Sequence, residues 1–277
     1  KQTHDTTFQT SIMDLGLKNQ SVMIFGGAGT IGQAVVRQFM EEECHVTVFD
    51  SHPSTDAVVK EKYPGCLGIR SDVTNYKAVV EGFESAFEKF GKIDHVVFTV
   101  GVGSGKFGFP FWNLKPGDWS RVLNINLQGA VHIAHAFAPY AVRQKSGSIS
   151  FFTSVAGQIG SQTDPPYSAA KAGLINFMQC VAKDMAPHHV RANAISPGMV
   201  ASELNRSVWQ AGQELLPEED RQEYQDWAEE KIHHISPLGG WQIPDEFGAM
   251  ATYLASHHAR HITGQVLNID GGQVMHA

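Results

Sequence analysis

Three side chains in the middle of the chain have the types and spacing for proton chemistry. Ile149 to Thr153 is a short apolar run rich in β-formers that ends in Ser154, and it reads as a buried strand with a hydroxyl at its carboxyl end. Tyr167 follows 13 residues later, with Lys171 at i+4 from it. On a helix that spacing puts phenol and ammonium on one face, one turn apart. A nearby ammonium favours phenolate, so a tyrosine with a reference pKa of ~10 is expected to exchange protons closer to neutrality. Such a phenol can act as a general acid and base, and a neighbouring serine can hydrogen-bond a developing alkoxide. Alone, Tyr-x-x-x-Lys also describes an ordinary solvated helix face. The surrounding elements decide between the two.

Those elements begin with a strand at Val22–Phe25, the loop Gly-Gly-Ala-Gly-Thr-Ile-Gly, and a helical pattern from Gln33 to Glu43. Gly27, Gly29 and Gly32 stand as Gly-x-Gly-x-x-Gly between strand and helix. Positions without Cβ let backbone approach a pyrophosphate, whose charge the helix N-terminus stabilises. The next strand, His45–Phe49, ends in Asp50, a carboxylate placed to accept from ribose hydroxyls and to repel a 2′-phosphate. No Arg or Lys occupies the glycine loop or the two positions after Asp50. NAD rather than NADP is therefore the expected cofactor.

Strand and helix keep alternating: strands at Cys66–Ile69, Val96–Val100, Ile149–Thr153, Val190–Ile195 and Val266–Ile269, helices at Lys77–Phe90 and Trp119–Val142. Short turns between them imply a parallel sheet covered on both faces. Right-handed crossovers make it a doubly wound α/β fold of the Rossmann kind, with seven strands and ligands at their carboxyl ends. Without a repeat, linker or low-complexity tract, residues 15–277 read as one dinucleotide-binding and catalytic domain, and residues 1–14 as a loosely ordered lead-in. The segment from Ala201 to Ser236 interrupts the alternation with two amphipathic, acidic stretches, around 209–216 and 219–233. It sits where a substrate lid would, or covers a sheet edge or an oligomer contact.

The chain has 277 residues, 42% hydrophobic and 18% charged, and carries a net charge of −7. No basic stripe suggests nucleic acid or an anionic membrane surface, and no apolar run reaches the ~18 residues of a membrane span. Cys44, Cys66 and Cys180 are widely spaced and fit reduced thiols in a cytoplasmic protein. His257, His258 and His261 have helical spacing without a nearby cysteine, so a solvated turn is expected there and no metal. Phe107, Phe109, Phe111 and Trp112 follow a glycine-rich loop; they suit either the lining of a substrate pocket or a core patch beneath the loop.

Taken together, these residues resemble the short-chain dehydrogenase/reductase family from about Leu15 to Gly272. The family's Thr-Gly-x-x-x-Gly-x-Gly loop falls on Phe25 to Gly32, its Asn-Asn-Ala-Gly on Phe98-Thr99-Val100-Gly101, and its Asn-x-x-Gly on Asn126 to Gly129. Its active-site serine falls on Ser154, Tyr-x-x-x-Lys on Tyr167 to Lys171, and Pro-Gly-x-Val-x-Thr on Pro197 to Ser202. The terminal Gly-x-Val-x-x-x-Asp-Gly-Gly falls on Gly264 to Gly272.

The resemblance implies a catalytic tetrad of Asn126, Ser154, Tyr167 and Lys171. Tyr167 would take the proton of a substrate hydroxyl as hydride leaves for the nicotinamide, and Ser154 would hold the substrate oxygen. Lys171 would bind the nicotinamide ribose and lower the pKa of Tyr167. Asn126 would kink its helix and hold a water. The cofactor would lie along Gly26, Gly27, Gly29, Thr30, Ile31, Gly32, Asp50, Asp72, Val73, Thr99, Gly101, Tyr167, Lys171, Pro197, Gly198, Val200 and Ser202. Phe25, Thr30 and Thr99 depart from the family's usual residues, and Gly240 stands where arginine is frequent. The expected activity is NAD-dependent interconversion of a secondary alcohol and a ketone by a homotetramer or dimer. The alternatives are an NADPH-dependent 3-oxoacyl-type carbonyl reductase and a dinucleotide-binding sensor without turnover.

Overall fold

The computed structural model describes residues 13–160 and 164–276, with the backbone alone at 204. The lead-in expected at residues 1–14 lies outside them except for Met13 and Asp14. Along the first strand, β1 (Ser21–Phe25), all five side chains are buried: Val22 and Ile24 on one face, Met23 and Phe25 on the other. A strand buried on both faces reads as an unbroken apolar run, which is why the central strands stand out in the sequence. The others are β2 (His45–Asp50), β3 (Leu67–Arg70), β4 (His95–Phe98), β5 (Gly147–Phe152), β6 (Val190–Pro197) and β7 (Val266–Ile269). Among the described residues they form one parallel sheet in the order β3-β2-β1-β4-β5-β6-β7. The chain starts in the middle, winds outward to β3, and returns across β1 to wind the other way. That reversal opens a crevice at the carboxyl ends of β1 and β4.

Two apolar layers hold the sheet. On one side Phe25 stacks on Phe49 at 4.2 Å and on Phe83 of α3 (Tyr76–Phe90) at 5.7 Å. The same layer takes in Phe137 from α5 (Gly129–Gln144) and Leu174 and Met178 from α6 (Pro165–Met185). On the other side α1 (Thr30–Glu41) contributes Val35, Val36 and Phe39, and α9 (Pro244–Ala255) contributes Phe247 and Leu254. Each such side chain, fully buried, stabilises the fold by about 1.5–3 kcal/mol. The stripe that seats α6, with Ala170, Leu174, Met178 and Ala182 at four-residue spacing, also carries Lys171 into the sheet's carboxyl edge.

Several boundaries differ from the expectations. The fourth strand stops at Phe98 rather than Val100, and the sixth continues through Ser196 and Pro197, which pair with Asn268 and Ile269. The long helix expected at 119–142 is broken into α4 (Trp119–Leu123), a π turn (Asn124–Gln128) and α5. Two helices were not anticipated: α2 (Thr55–Lys62), which buries only Thr55 and Val59, and α9. The interrupting segment holds α7 (Glu203–Gln213) and α8 (Tyr224–Ile235), offset from the stretches expected at 209–216 and 219–233. Phe109, Phe111 and Trp112 are exposed, so they are not a core patch.

Helix α9 lies so close to α1 that a Cβ on Gly248 would fall 2.6 Å from Gln38 Cγ and 3.0 Å from the Ala34 carbonyl. Gly248→Val is expected to destabilise the protein by about 1–3 kcal/mol through overpacking. Thermal unfolding checks it: an unchanged Tm would mean that the helices can part at no cost.

Candidate active site

The glycine loop divides its labour differently from the expectation that its glycines simply clear space for a ligand. Gly26 has φ +83°, in the left-handed region that favours glycine. A Cβ on Gly27 would fall 2.5 Å from Val48 Cγ1, and one on Gly32 only 2.1 Å from the Gly26 carbonyl oxygen. These two are packing glycines that let α1 close onto β1 and β2. Gly27, expected among the cofactor contacts, does not line the cleft. A Cβ on Gly29 would meet only the Gly26 oxygen, at 3.4 Å, so its backbone faces open space.

That space is one end of a two-lobed cleft. The larger lobe, about 560 Å³, is lined by Gly26, Gly29, Thr30, Ile31 and Gly32 together with Ser154, Tyr167 and Lys171, and by Pro197, Gly198, Val200 and Ser202. The smaller, about 320 Å³, is lined by Asp50, Ser51, Ser71, Asp72 and Val73. Gly26, Gly29, Thr99 and Gly101 border both. The Asp50 carboxylate accepts from the Ala28 N–H at 3.1 Å and from the His52 N–H at 3.2 Å, which fixes it at the rim of the glycine loop. The Ser71 hydroxyl is buried with no hydrogen-bond partner among the described residues. An elongated groove with a free loop backbone, an orphaned hydroxyl and a fixed carboxylate at its far end fits a dinucleotide.

On the floor of the larger lobe Lys171 is only 2% exposed. Its ammonium donates to the Phe152 carbonyl at 2.8 Å and to the Val100 carbonyl at 3.3 Å, and lies 5.5 Å from the centre of the Tyr167 ring. Burial pulls its pKa from 10.5 down to about 7. The Tyr167 phenol shares a hydrogen bond with the Ser154 hydroxyl, yet burial, reinforced by the nearby Asp164 carboxylate, pushes its pKa up to about 12. The expectation that Lys171 draws the phenol toward neutrality is therefore reversed in the protein alone. Burial outweighs the hydrogen bond, and the ammonium spends its donors on main-chain carbonyls.

Asn126, fully buried, sits inside the π turn that interrupts the helix where a kink was implied. Its side chain is committed to the loop after β4: Oδ1 accepts from the Val102 N–H at 3.0 Å, and Nδ2 donates to the Val102 carbonyl at 2.8 Å and to Val122 at 2.9 Å. The Thr99 hydroxyl donates to the Phe25 and Gly26 carbonyls, tying the end of β4 to the glycine loop where the two lobes meet. The Ser202 hydroxyl accepts from the Asn205 N–H and caps α7. Asp72 lines the smaller lobe while its carboxylate holds Thr74. None of Phe107, Phe109, Phe111 and Trp112 lines either lobe. Among the described residues no three His, Cys, Asp or Glu side chains converge as a metal cage, and no helix is long and apolar enough to cross a membrane.

Several residues of the cleft were missed, Ser71, Asp164, Arg121 and Lys231 among them. Asp164, at the N-cap of α6, accepts from the Ser104 N–H at 2.7 Å, and burial pushes its carboxyl pKa up. Its place three residues before Tyr167 and just ahead of Pro165-Pro166 was the available signal. Arg121 lines the smaller lobe and Lys231 the larger; the latter stands at i+4 from Trp227.

A family model described as enoyl-(acyl carrier protein) reductase matches residues 26–274. The 3-oxoacyl-(acyl-carrier-protein) reductase FabG of Thermotoga maritima is 32% identical over 263 residues, which span 94% of this chain and 99% of the relative. Acetoacetyl-CoA reductase of Synechocystis is 30% identical, over 94% of this chain and 98% of that protein. A probable galactose dehydrogenase, GalD, of Rhizobium meliloti is 27% identical over 92% and 95%. The crystal structure of gox2181 superposes with a TM-score of 0.79 at 29% identity, covering 94% of this chain and 97% of that one. Likeness of that extent carries one conclusion: the chain belongs to the short-chain dehydrogenase/reductase family of oxidoreductases.

Proposed function

We propose that the protein transfers hydride between a nicotinamide dinucleotide and a carbon that is a ketone in one direction and a secondary alcohol in the other. The observation that carries this reading is the floor of the cleft, where Ser154 and Tyr167 share a hydrogen bond above the buried Lys171. The dinucleotide would be held by the backbone from Gly26 to Gly32, by Asp50, Ser71 and Asp72 at one end, and by Tyr167, Lys171 and the turn from Pro197 to Ser202 at the other. When bound, its nicotinamide supplies or accepts the hydride.

The protein's own residues handle the proton. With a pKa of about 12 the Tyr167 phenol keeps its proton across the neutral range. That is the state needed to protonate a carbonyl oxygen as it gains charge, so the resting site supports the reductive direction. Ser154 is placed to hydrogen-bond the same oxygen. Lys171, near its own titration point at neutral pH, can hold a proton beside the phenolate that forms. Asn126 positions the loop that supplies one of the lysine's two carbonyls.

The relatives' names support reduction of a 3-oxoacyl group, the reading held as the alternative, more than a general alcohol dehydrogenase. Asp50 supports NADH over NADPH, because a 2′-phosphate beside a carboxylate would be repelled. Our reading is thus a carbonyl reductase of 3-oxoacyl or related ketones, with NADH preferred. NADPH use is the second form, the alternative that the carboxylate of Asp50 disfavours. The intact floor of the cleft gives no support to a sensor. The free, half-buried thiols of Cys44 and Cys66, pushed up to about 12 and 11 by desolvation, support a reducing compartment and hence a cytoplasmic setting. The exposed apolar side chains Phe111, Trp112 and Leu238 support a homo-oligomer, dimer or tetramer.

Oxidation of NADH and NADPH measured at 340 nm with acetoacetyl-CoA tests the reading. Tyr167→Phe is expected to remove turnover while binding of the dinucleotide stays within a few-fold; a variant that still turns over would take the proton-transfer role away from Tyr167. Asp50→Ala should shift the NADH-to-NADPH ratio of kcat/KM toward NADPH by roughly tenfold, the worth of a hydrogen bond to a charged group. A constant ratio would assign the preference elsewhere.

Lys171 generates a pH dependence of stability. The unfolded lysine keeps its proton up to 10.5, whereas the folded one loses it near 7. Between those values the unfolded chain binds more protons, so stability rises with pH by about 1 kcal/mol per unit. Lys171→Met should lose that rise when melting curves from neutral pH to pH 9 are compared with wild type. Parallel slopes would show that the lysine is not buried in its neutral form.

A further inference from the structure

The cleft has a second lysine, on the wall opposite in sequence to the catalytic floor. Lys231 lies on α8, lines the larger lobe together with Ser154 and Tyr167, and rests its ammonium 4.4 Å above the centre of the Trp227 ring. The ring is fixed by its neighbours: Tyr224 lies between Trp227 at 6.0 Å and Trp209 of α7 at 5.6 Å. Among the described residues, Lys231 makes no ion pair within 4.0 Å, although Asp164 and Glu203 line the same lobe. The adjacent acids of α8 are engaged elsewhere, Glu229 with Gln225 and Glu230 with Gln222. Its pKa is lowered by burial, as expected for a cation taken partly out of water without a counter-charge.

An aromatic face holds a cation in place but consumes none of its N–H donors. A partly desolvated ammonium with free donors, facing a cleft that is otherwise largely apolar (Val155, Ile159, Met199, Val208 and Ile235 among its walls), is complementary to an anion on an apolar body. We propose that Lys231 anchors the carboxylate of the substrate, so that the lobe takes an oxo or hydroxy acid with a free carboxylate, its apolar chain lying along those walls. This deepens the hydride-transfer reading above and rests on it. Within the ketones of that reading it favours the free 3-oxo acid over its thioester, whose acyl end offers Lys231 no charge.

The test uses hexanoate and hexanamide, equal in shape and unequal in charge, as probes of the NADH-loaded protein by calorimetry, alongside rates with 3-oxohexanoate and its ethyl ester. Wild type is expected to bind hexanoate at least about tenfold tighter than hexanamide, the effect of one charge-assisted contact. Lys231→Met should bring the two together, Lys231→Arg should restore the gap, and the acid-to-ester ratio of kcat/KM should follow the same pattern. Equal binding of acid and amide by wild type, no hexanoate binding at millimolar concentration, or a gap that survives Lys231→Met would each overturn the proposal. Absence of turnover with both acid and ester, with the lysine-dependent gap intact, would remove the hydride-transfer reading and leave Lys231 as an anion anchor.

Discussion

One ammonium group, on Lys171, fixes the layout of the catalytic edge. Buried under the carboxyl ends of the strands, it needs acceptors that the sheet does not use, and it finds them where two strands release the chain: Phe152, the last residue of β5, and Val100, two residues beyond β4. Gly101 follows, where a Cβ would stand 3.4 Å from Nζ, in ordinary contact with the amine. Asn126 then clamps the next residue, Val102, through both its N–H and its carbonyl. Strand ends, loop, π turn and α6 are thus all referred to one charge. An isolated buried ammonium would be costly, and these carbonyls are what make it tolerable.

Fold and site were legible to different depths. The doubly wound sheet could be read because β1, β4 and β5 are buried on both faces and so appear as apolar runs, and because turns fall at regular intervals between them. Helices α2 and α9 were hidden for different reasons: α2 buries only Thr55 and Val59, whereas the buried face of α9 is built largely from small residues, Gly248, Ala251, Thr252 and Ala255, which carry little apolar signal. The reactive trio was visible from residue type and spacing. The direction of the Tyr167 shift was not, since spacing reports which charges are near but not how much water is excluded. For the same reason Gly27 passed for a ligand-facing glycine: a missing Cβ looks the same in sequence whether it admits a phosphate or the methyl of Val48.

The cleft also shows how one environment sets three titrations. The phenol is pushed up and the floor lysine pushed down by the same exclusion of water. Asp164, a carboxylate at the start of α6, is raised as well and adds to the rise of Tyr167. Each shift favours the neutral form of its group. Lys231, held against the Trp227 indole of α8, keeps its N–H donors free in the larger lobe. Polarity is thereby distributed along the cleft: proton chemistry at the strand ends, attraction at the far wall.

The π turn at Asn124–Gln128 has a consequence for the lineage of this chain. A π turn holds one residue more than the α-helical turn it replaces, so α4 and α5 are out of phase by about 100° relative to an uninterrupted helix. Deleting a single residue in this turn would leave a smoother helix and lose the aim of Asn126. Insertions and deletions here are therefore not neutral changes of length, unlike those in the surface loops: the irregularity is a phase-setting element, and the chain can drift in composition around it but not in count.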